Sequence, residues 1–478
     1  MPLLVFCRLG LLFLVILVVL PTYGQEQKYN EYTSLLSSYI KIPSETRNEK
    51  DAGVFFMQQC QDRGLYTQVL IKNDTAFNFI ASVYPLACNK PNIVFLNHID
   101  VVPPGDTTHW SYPPYSGSII DSVIWGRGSI DNKGMAVAEL FAVSSFVKKG
   151  KENDLPYNIS ILCVSGEETD GLTGAKPVSE KFLKLINPAL IVGEGGSGVN
   201  GLIKADPKKT VFGISTVEKT KLTLDLTMNI TASGHGSIPP KDYAMKEMVM
   251  ALENLLSERP DIKYTSISAR GLKELGKHEK GIKGFVQRHM TFLFFRRIVK
   301  KEIEKDPVLT ALFAHTIAFT KLNAYDPIHN QITPQVTATL DCRLLPGTKP
   351  DKFIQYVRKS LKDERIDIKV SYQVLAAPRT KPKEFYSYLK EAITEVHPGS
   401  ISVEIIFPAT TDNSVFRDKG IPVLGIFPAC FEKEELESIH NINERIHFNR
   451  LDAAVLVYQN FLERIQKVKL TEFSTAGK

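Results

Sequence analysis

Three short apolar runs end alike. Ile93–Leu96 leads into Asn97, His98, Ile99 and Asp100, Ile159–Val164 into Ser165, Gly166, Glu167 and Glu168, and Ala189–Val192 into Gly193 and Glu194. Together with Phe79–Tyr84 they read as strands, and continuous apolar runs of this length fit strands buried on both faces. Between Ile93–Leu96 and Ile159–Val164 lies "DNKGMAVAELFAVSSFVKKG". Its Met135, Ala138, Val143, Phe146 and Val147 recur at helical spacing, and Lys148, Lys149 and Gly150 supply a stop signal. Strands alternating with helices imply an α/β fold, a mostly parallel sheet with helices on both faces. In such sheets function gathers at the carboxyl ends of the strands, where the polar residues stand.

At 478 residues the chain exceeds one compact core. From about Lys219 its texture changes. "KTKLTLDLTMNITASGHGSIPP", "TPQVTATLDCRLLPG" and "IDIKVSYQVLAA" alternate apolar and polar residues, as half-exposed antiparallel strands do. The sheet pattern resumes with "ISVEIIFPATTDNSVF" and "GIPVLGIFPAC", and a helix from Leu451 to Ile465 closes it. We therefore expect catalytic segments at 25–216 and 377–478, with an α+β domain inserted at 217–376. The net charge of +6 gives no case for a nucleic-acid partner, and neither zinc-finger spacing nor an aromatic–basic RNA signature occurs. Residues 271–305 carry ten Lys/Arg against four Glu, interleaved with Phe285, Phe292, Phe294 and Phe295. This reads first as a helix with one buried and one solvated face; the other reading is association with an anionic lipid surface.

The opening "MPLLVFCRLGLLFLVILVVLPTYGQEQ" has Arg8, then uncharged residues from Leu9 to Leu20, then Thr22 and Gly24 before Gln25. This is the layout of a signal peptide over residues 1–24, since the core is short for a membrane span. An uncleaved anchor is the other reading. Sequons at Asn73, Asn158 and Asn229 agree with secretion and glycosylation. Beyond Cys7 remain Cys60, Cys88, Cys163, Cys342 and Cys430, with no CxxC spacing. One disulfide could form, but stability must come from a core.

Asp131, in "WGRGSIDNKG", stands at the mouth of a helix and alone would be an ordinary cap. Adjacent Glu167 and Glu168 are harder to dismiss, because two carboxylates at one strand end repel unless a cation separates their roles. One can then bind a metal while the other stays free as a base for the attacking water. Glu194 ends another strand, and "ESIHNINERI" offers His440. Two histidines and several carboxylates at one sheet end form a mixed N/O set suited to zinc. Two ions need a bridging carboxylate, for which Asp131 is the natural choice.

"NHIDVVPPGD", "WGRGSIDNKG", "SGEETDGLTGA", "VGEGG" and "IHNINERI", in this order, resemble the aminoacylase–carboxypeptidase family of dinuclear zinc hydrolases from about residue 30 to 466. The resemblance implies a zinc-exopeptidase-like catalytic domain, a lid or dimerisation insert and two zinc ions per subunit. It implies that His98 and Glu194 hold one ion, Glu168 and His440 the other, with Asp131 between them. Asp100 would orient His98, as metal-bound imidazoles generally require, and Glu167 would be the general base. His235, in "SGHGSIPP", would reach across a homodimer interface to polarise the scissile carbonyl, while Asn330 and Arg343 would grip a substrate carboxylate and Thr411 and Asp412 would line the pocket. Within the family the secretory signal, the insert and "IHNINE" are most similar to N-fatty-acyl-amino-acid synthase/hydrolases and carboxypeptidase S. The implied substrates are N-acyl amino acids or short peptides with a free carboxylate. Two positions depart from near relatives: Gly193, where many carry an acidic residue, and "DNSVF", which replaces an arginine common after Asp412.

Overall fold

The computed structural model describes residues 30–466, apart from 170, 232–233, 291, 325–329 and 375–382. The expected signal segment, 1–24, lies outside them. Among the described residues, no helix is long and apolar enough to cross a membrane.

Eight strands form the main sheet, in the order Tyr66–Lys72, Phe77–Ser82, Asn158–Val164, Asn92–His98, Pro188–Val199, Val423–Phe431, Val211–Glu218 and Ile401–Phe407. Asn92–His98 pairs in parallel with both neighbours, and Val423–Phe431 runs parallel to Pro188–Val199. Phe77–Ser82 joins antiparallel. The two strands Asn92–His98 and Asn158–Val164 are buried along their whole length, because helices cover both faces. Leu36, Phe56, Val143, Ile393 and Tyr458, from five helices, pack on one side; Val178 and Phe416, from two others, pack on the opposite side. A mostly parallel sheet between helical layers is thus the architecture that the buried runs predict.

The helix Lys133–Asn153 does not stop at Gly150. Gly150 is buried inside it, where a Cβ would stand 2.6 Å from Val83 Cγ1. Glycine serves close packing there, and the helix ends three residues later, with Asp154 in the left-handed conformation. At its start, a Cβ on Gly134 would come within 2.1 Å of the Ser129 carbonyl oxygen. Only glycine lets the turn that bears Asp131 fold so tightly against the helix.

A second, antiparallel sheet has the order Thr316–Ala324, Gln335–Leu344, Thr220–Asn229 and Asp367–Gln373. Thr220–Asn229 alternates buried and half-buried residues. Its inward side chains Leu222, Leu224, Leu226 and Met228 pack beneath the helices Ala244–Leu256 and Pro350–Leu361. The basic 271–305 stretch is not one helix. It spans the end of Ser266–His278, then Gly281–Arg288 and Leu293–Ile303, which share a small core of Leu272, Val286, Val299 and Ile303. Ile282, Phe285, Phe292 and Phe294 remain exposed.

Cys60, Cys88, Cys163, Cys342 and Cys430 are all free thiols. Of the sequons, Asn73 and Asn229 are exposed. Asn158 is buried, its amide exchanging hydrogen bonds with the main chain of Tyr84 at 3.0 and 2.9 Å. A folded chain does not offer Asn158 to a glycan.

Candidate metal centre

The strand Asn92–His98 delivers His98 to its carboxyl end with the ring almost fully buried. Nδ1 lies 2.8 Å from the main-chain oxygen of Asp100, the closest acceptor to it, whereas the Asp100 carboxylate is 3.6 Å away. A proton on Nδ1 therefore leaves Nε2 as the free donor. Nε2 faces Asp131 Oδ1 at 3.0 Å and Glu194 Oε2 at 3.8 Å. The Asp100 carboxylate is occupied otherwise, accepting from the main-chain N–H of Glu167 at 3.2 Å, that of Glu168 at 3.1 Å and the Thr46 hydroxyl at 2.8 Å. Asp100 thus orients His98 through its carbonyl and holds the Glu167–Glu168 turn through its side chain.

On the other side of Asp131, His440 Nε2 lies 3.1 Å from Asp131 Oδ2 and 3.1 Å from Glu168 Oε2. Two groups of potential ligand atoms result: His98, Asp131 and Glu194, and Asp131, Glu168 and His440, each set within 4.8 Å. Asp131 belongs to both. Glu167 belongs to neither, yet it lines the same pocket with His98, Asn132, Glu194, Thr411, Asp412 and Asn413.

The electrostatics of this pocket are those of a site short of positive charge. Burial, then the nearby Glu194, raises the Glu167 carboxyl well above its ordinary range. Burial and Asp131 push Glu168 up to about 7. Burial likewise raises Glu194 and Asp412. Burial opposes ionisation of Asp131 too, but hydrogen bonds from His440 and His98 outweigh it and hold that carboxyl below its usual range. Those bonds to Asp131 and Glu168 lift His440 to about 10. Burial would depress His98, yet its carboxylate neighbours raise it well above the usual imidazole value. The two imidazoles are thus outnumbered by the carboxylates around them. Glu168 Oε1 is moreover buried without a hydrogen-bond partner among the described residues, an uncommon and costly state for a carboxylate oxygen. Metal ions answer both conditions, because they replace the imidazole protons and engage the orphaned oxygen. The residues present fit a pair of ions.

Glu194 is steadied by two residues to which sequence reading attached no role. Asn132 Nδ2 donates to its Oε2 at 3.3 Å, and Asn413 Nδ2 donates to its carbonyl at 2.6 Å. A Cβ on residue 193 would lie 2.2 Å from Asn413 Oδ1, so Gly193 and Asn413 fit only as a pair. Adjacency to Asp131 was the signal for Asn132; for Asn413 it was its place beside Asp412 in "DNSVF", where the chain departs from near relatives.

Of the remaining candidates, His235, Asn330 and Arg343 neither join a donor group nor line that pocket, whereas Thr411 does line it. His235, on the short strand Gly234–His235, is exposed, with Nε2 2.8 Å from Asn330 Nδ2 and Nδ1 2.6 Å from Ser237 Oγ. Arg343 lies on the smaller sheet, where its guanidinium donates to Asp341 at 2.7 and 3.2 Å. Thr411 donates from its hydroxyl and its main chain to Glu218, at 2.8 and 3.0 Å. Its hydroxyl therefore braces the pocket wall. Glu218 is also paired with Arg417 at 2.5 Å.

Comparison with known proteins places this arrangement in context. The profile of peptidase family M20/M25/M40 matches residues 94–464. The chain is 25% identical over 453 residues to N-fatty-acyl-amino acid synthase/hydrolase PM20D1 of Xenopus tropicalis, covering 92% of this chain and 86% of that protein. It is 27% identical over 392 residues to probable carboxypeptidase S-like 2 of Dictyostelium discoideum, covering 79% and 72%. Among solved structures, a metallo-carboxypeptidase from Sulfolobus solfataricus superimposes with a TM-score of 0.69 at 18% identity, over 92% of this chain and 100% of that one.

Proposed function

This chain belongs to peptidase family M20/M25/M40 and is a metal-dependent hydrolase of amide bonds; from that premise we propose that it is a secreted zinc enzyme that cleaves N-acyl amino acids. The observation that carries this reading is the division of labour between neighbouring carboxylates. Glu168 joins a donor group while Glu167 stays outside both groups in the same pocket. His98, Glu194, Asp131, Glu168 and His440 would hold two zinc ions, which supply Lewis acidity toward a carbonyl oxygen and toward water.

The chain's own groups do the rest. Glu167 takes a proton from the attacking water and hands it to the leaving nitrogen, and its raised affinity for a proton suits both transfers. Arg343 receives the substrate's free carboxylate by exchanging Asp341 for it, a task suited to a guanidinium fork. Asn330 stands beside His235, at the opposite end of the strand Gln335–Leu344 from Arg343, so it serves the histidine rather than Arg343 of the same chain. His235, exposed and held by Asn330 and Ser237, is available to a second copy of the chain, where Nε2, protonated and exchanging the Asn330 amide for substrate, donates to the scissile carbonyl oxygen in a homodimer. The exposed Phe292 and Phe294 amid the basic helices support contact with an acyl-lipid surface.

Because hydrolysis is reversible, abundant amine and fatty acid would drive synthesis of the same amide. The carboxypeptidase S-like relative supports a second reading, cleavage of the carboxy-terminal residue of short peptides. One experiment separates them. The zinc-loaded protein is incubated with a panel of N-acyl amino acids and dipeptides, and products are identified by mass spectrometry. Release of free fatty acid supports the first reading; turnover of dipeptides alone moves the assignment to the second. Sequencing the amino terminus of protein secreted by expressing cells tests cleavage before Gln25.

A further inference from the structure

One buried carboxylate joins the two loops that carry Asp131 and His440. Glu444, four residues beyond His440, has 0% exposure. Its Oε2 accepts from Arg127 Nη1 at 2.8 Å and from the Gly128 main-chain N–H at 2.9 Å. Its Oε1 accepts from the main-chain N–H of Ile130 at 3.0 Å and of Asp131 at 3.1 Å. Its carbonyl accepts from Gly126 N–H at 2.9 Å. All these donors come from one turn, which ends at Asp131. Immediately beyond Glu444, the strand Arg445–His447 pairs with Val123–Trp125.

The His440 loop needs such an anchor. The His440 side chain is 51% exposed, against 2% for His98, so packing around the ring cannot fix its position. His440 and Asn443 both have positive φ, at 59° and 60°. Side chains seldom adopt that backbone conformation without support from their surroundings. Stability alone is a weak reason for the anchor, because a buried ion pair such as Arg127–Glu444 returns little beyond its desolvation cost. What the pair does confer is a set distance between two loops far apart in the chain.

We infer that Glu444 is a positioning residue for the second metal ion: it holds the His440 loop against the Asp131 turn and so assembles the Asp131, Glu168 and His440 donor group. This rests on the metal reading above. It leaves the first group less dependent on Glu444, since His98 is fixed by its strand, Glu194 by Asn132 and Asn413, and the turn of the shared Asp131 also by its own main-chain bonds, Ser129 N–H to the Gly126 carbonyl at 3.1 Å and Lys133 N–H to the Gly128 carbonyl at 3.0 Å.

The test uses Glu444→Asp, which keeps the charge but is one methylene shorter, and Glu444→Gln, which keeps the shape without the charge. Zinc per chain is measured after dialysis against graded concentrations of a weak chelator, beside kcat, KM and the unfolding midpoint in excess EDTA. The wild type should hold two ions. The variants should hold one as tightly as the wild type and the other about 10–100-fold more weakly, the range seen when outer partners of metal ligands are lost. At limiting zinc kcat should fall with occupancy of the weaker site and recover in excess zinc, with KM unchanged because Glu444 touches no substrate. In EDTA, Glu444→Asp should unfold in one transition, its midpoint lowered because the shorter side chain leaves buried donors unpaired, and the unequal loss of the two ions is then what separates positioning from general destabilisation. Two ions at wild-type affinity in both variants would overturn the inference. So would equal weakening of both ions alongside a lowered EDTA midpoint in Glu444→Asp. A wild type that binds no ion would instead overturn the metal reading itself, before any variant is compared.

Discussion

The carboxyl end of the main sheet and the half-buried face of the smaller sheet treat charge in opposite ways. At the first, Asp131, Glu167, Glu168, Glu194 and Asp412 crowd around His98 and His440, and burial raises the proton affinity of four of the five carboxyls. At the second, Arg343 is matched by Asp341, and Asp225 accepts from Thr339. The first face gathers the donor set of a cation site; the second matches its charges with one another. A metal centre must be assembled by one chain before substrate arrives, whereas recognition groups can rest on internal partners until a ligand displaces them.

That contrast breaks most readily at Glu167. Glu167→Ala should lower kcat by about 10²–10⁴-fold, the usual contribution of a positioned base, while the zinc content stays at the wild-type level. Metal lost along with activity would make Glu167 a ligand and erase the division between it and Glu168. His440→Ala comes next. It should release one ion and cost activity at least the ~10–100-fold associated with disturbed metal ligation, so full occupancy of both sites in that variant would contradict the second donor group. Arg343→Ala probes the other sheet. Its effect should fall on KM for carboxylate-bearing substrates, by roughly tenfold. That is at the low end of the ~1.5–3 kcal/mol of a hydrogen bond to a charged group, because Asp341 competes for the guanidinium. An unchanged KM would remove Arg343 from recognition.

What could be read from the chain, and what could not, follows the same division. The donors were legible because a polar residue at the end of a fully apolar strand has few reasons to be there, as with His98 and Glu168. Main-chain roles were not legible. Nothing in "HID" distinguishes Asp100 acting through its carbonyl from Asp100 acting through its carboxylate, since both lie within reach of one imidazole. Glycine was ambiguous in kind. Gly150 reads as a helix stop but serves close packing against Val83, while Gly281, with φ of 61°, does interrupt the basic 271–305 stretch that reads first as one helix. Long-range pairs such as Glu218–Arg417 and Glu444–Arg127 left no trace in local pattern, because either partner alone resembles a surface charge.

The smallest expected effect concerns the seam of the inserted region, where an imidazole must stay neutral. His315 Nδ1 accepts from the Leu345 main-chain N–H at 3.0 Å, and Nε2 lies 3.3 Å from Lys263 Nζ. Both ring nitrogens thus face donors, and a protonated ring would have no acceptor to offer either. Burial first, and the Lys263 charge second, push His315 down to about 4, against ~6.5 for an unperturbed histidine. Between those values the unfolded chain binds a proton that the folded chain refuses, so stability rises as pH climbs from about 4 to about 6.5 and this contribution is level above that. His315→Gln keeps an acceptor for Leu345 but cannot titrate. The difference in urea midpoint between pH 4.5 and pH 7 should therefore be smaller in the variant than in the wild type. Equal differences would mean that His315 accepts its proton in the folded state, and that the contrast between a charge-starved metal centre and a self-satisfied insert fails at the point where the insert meets a cation.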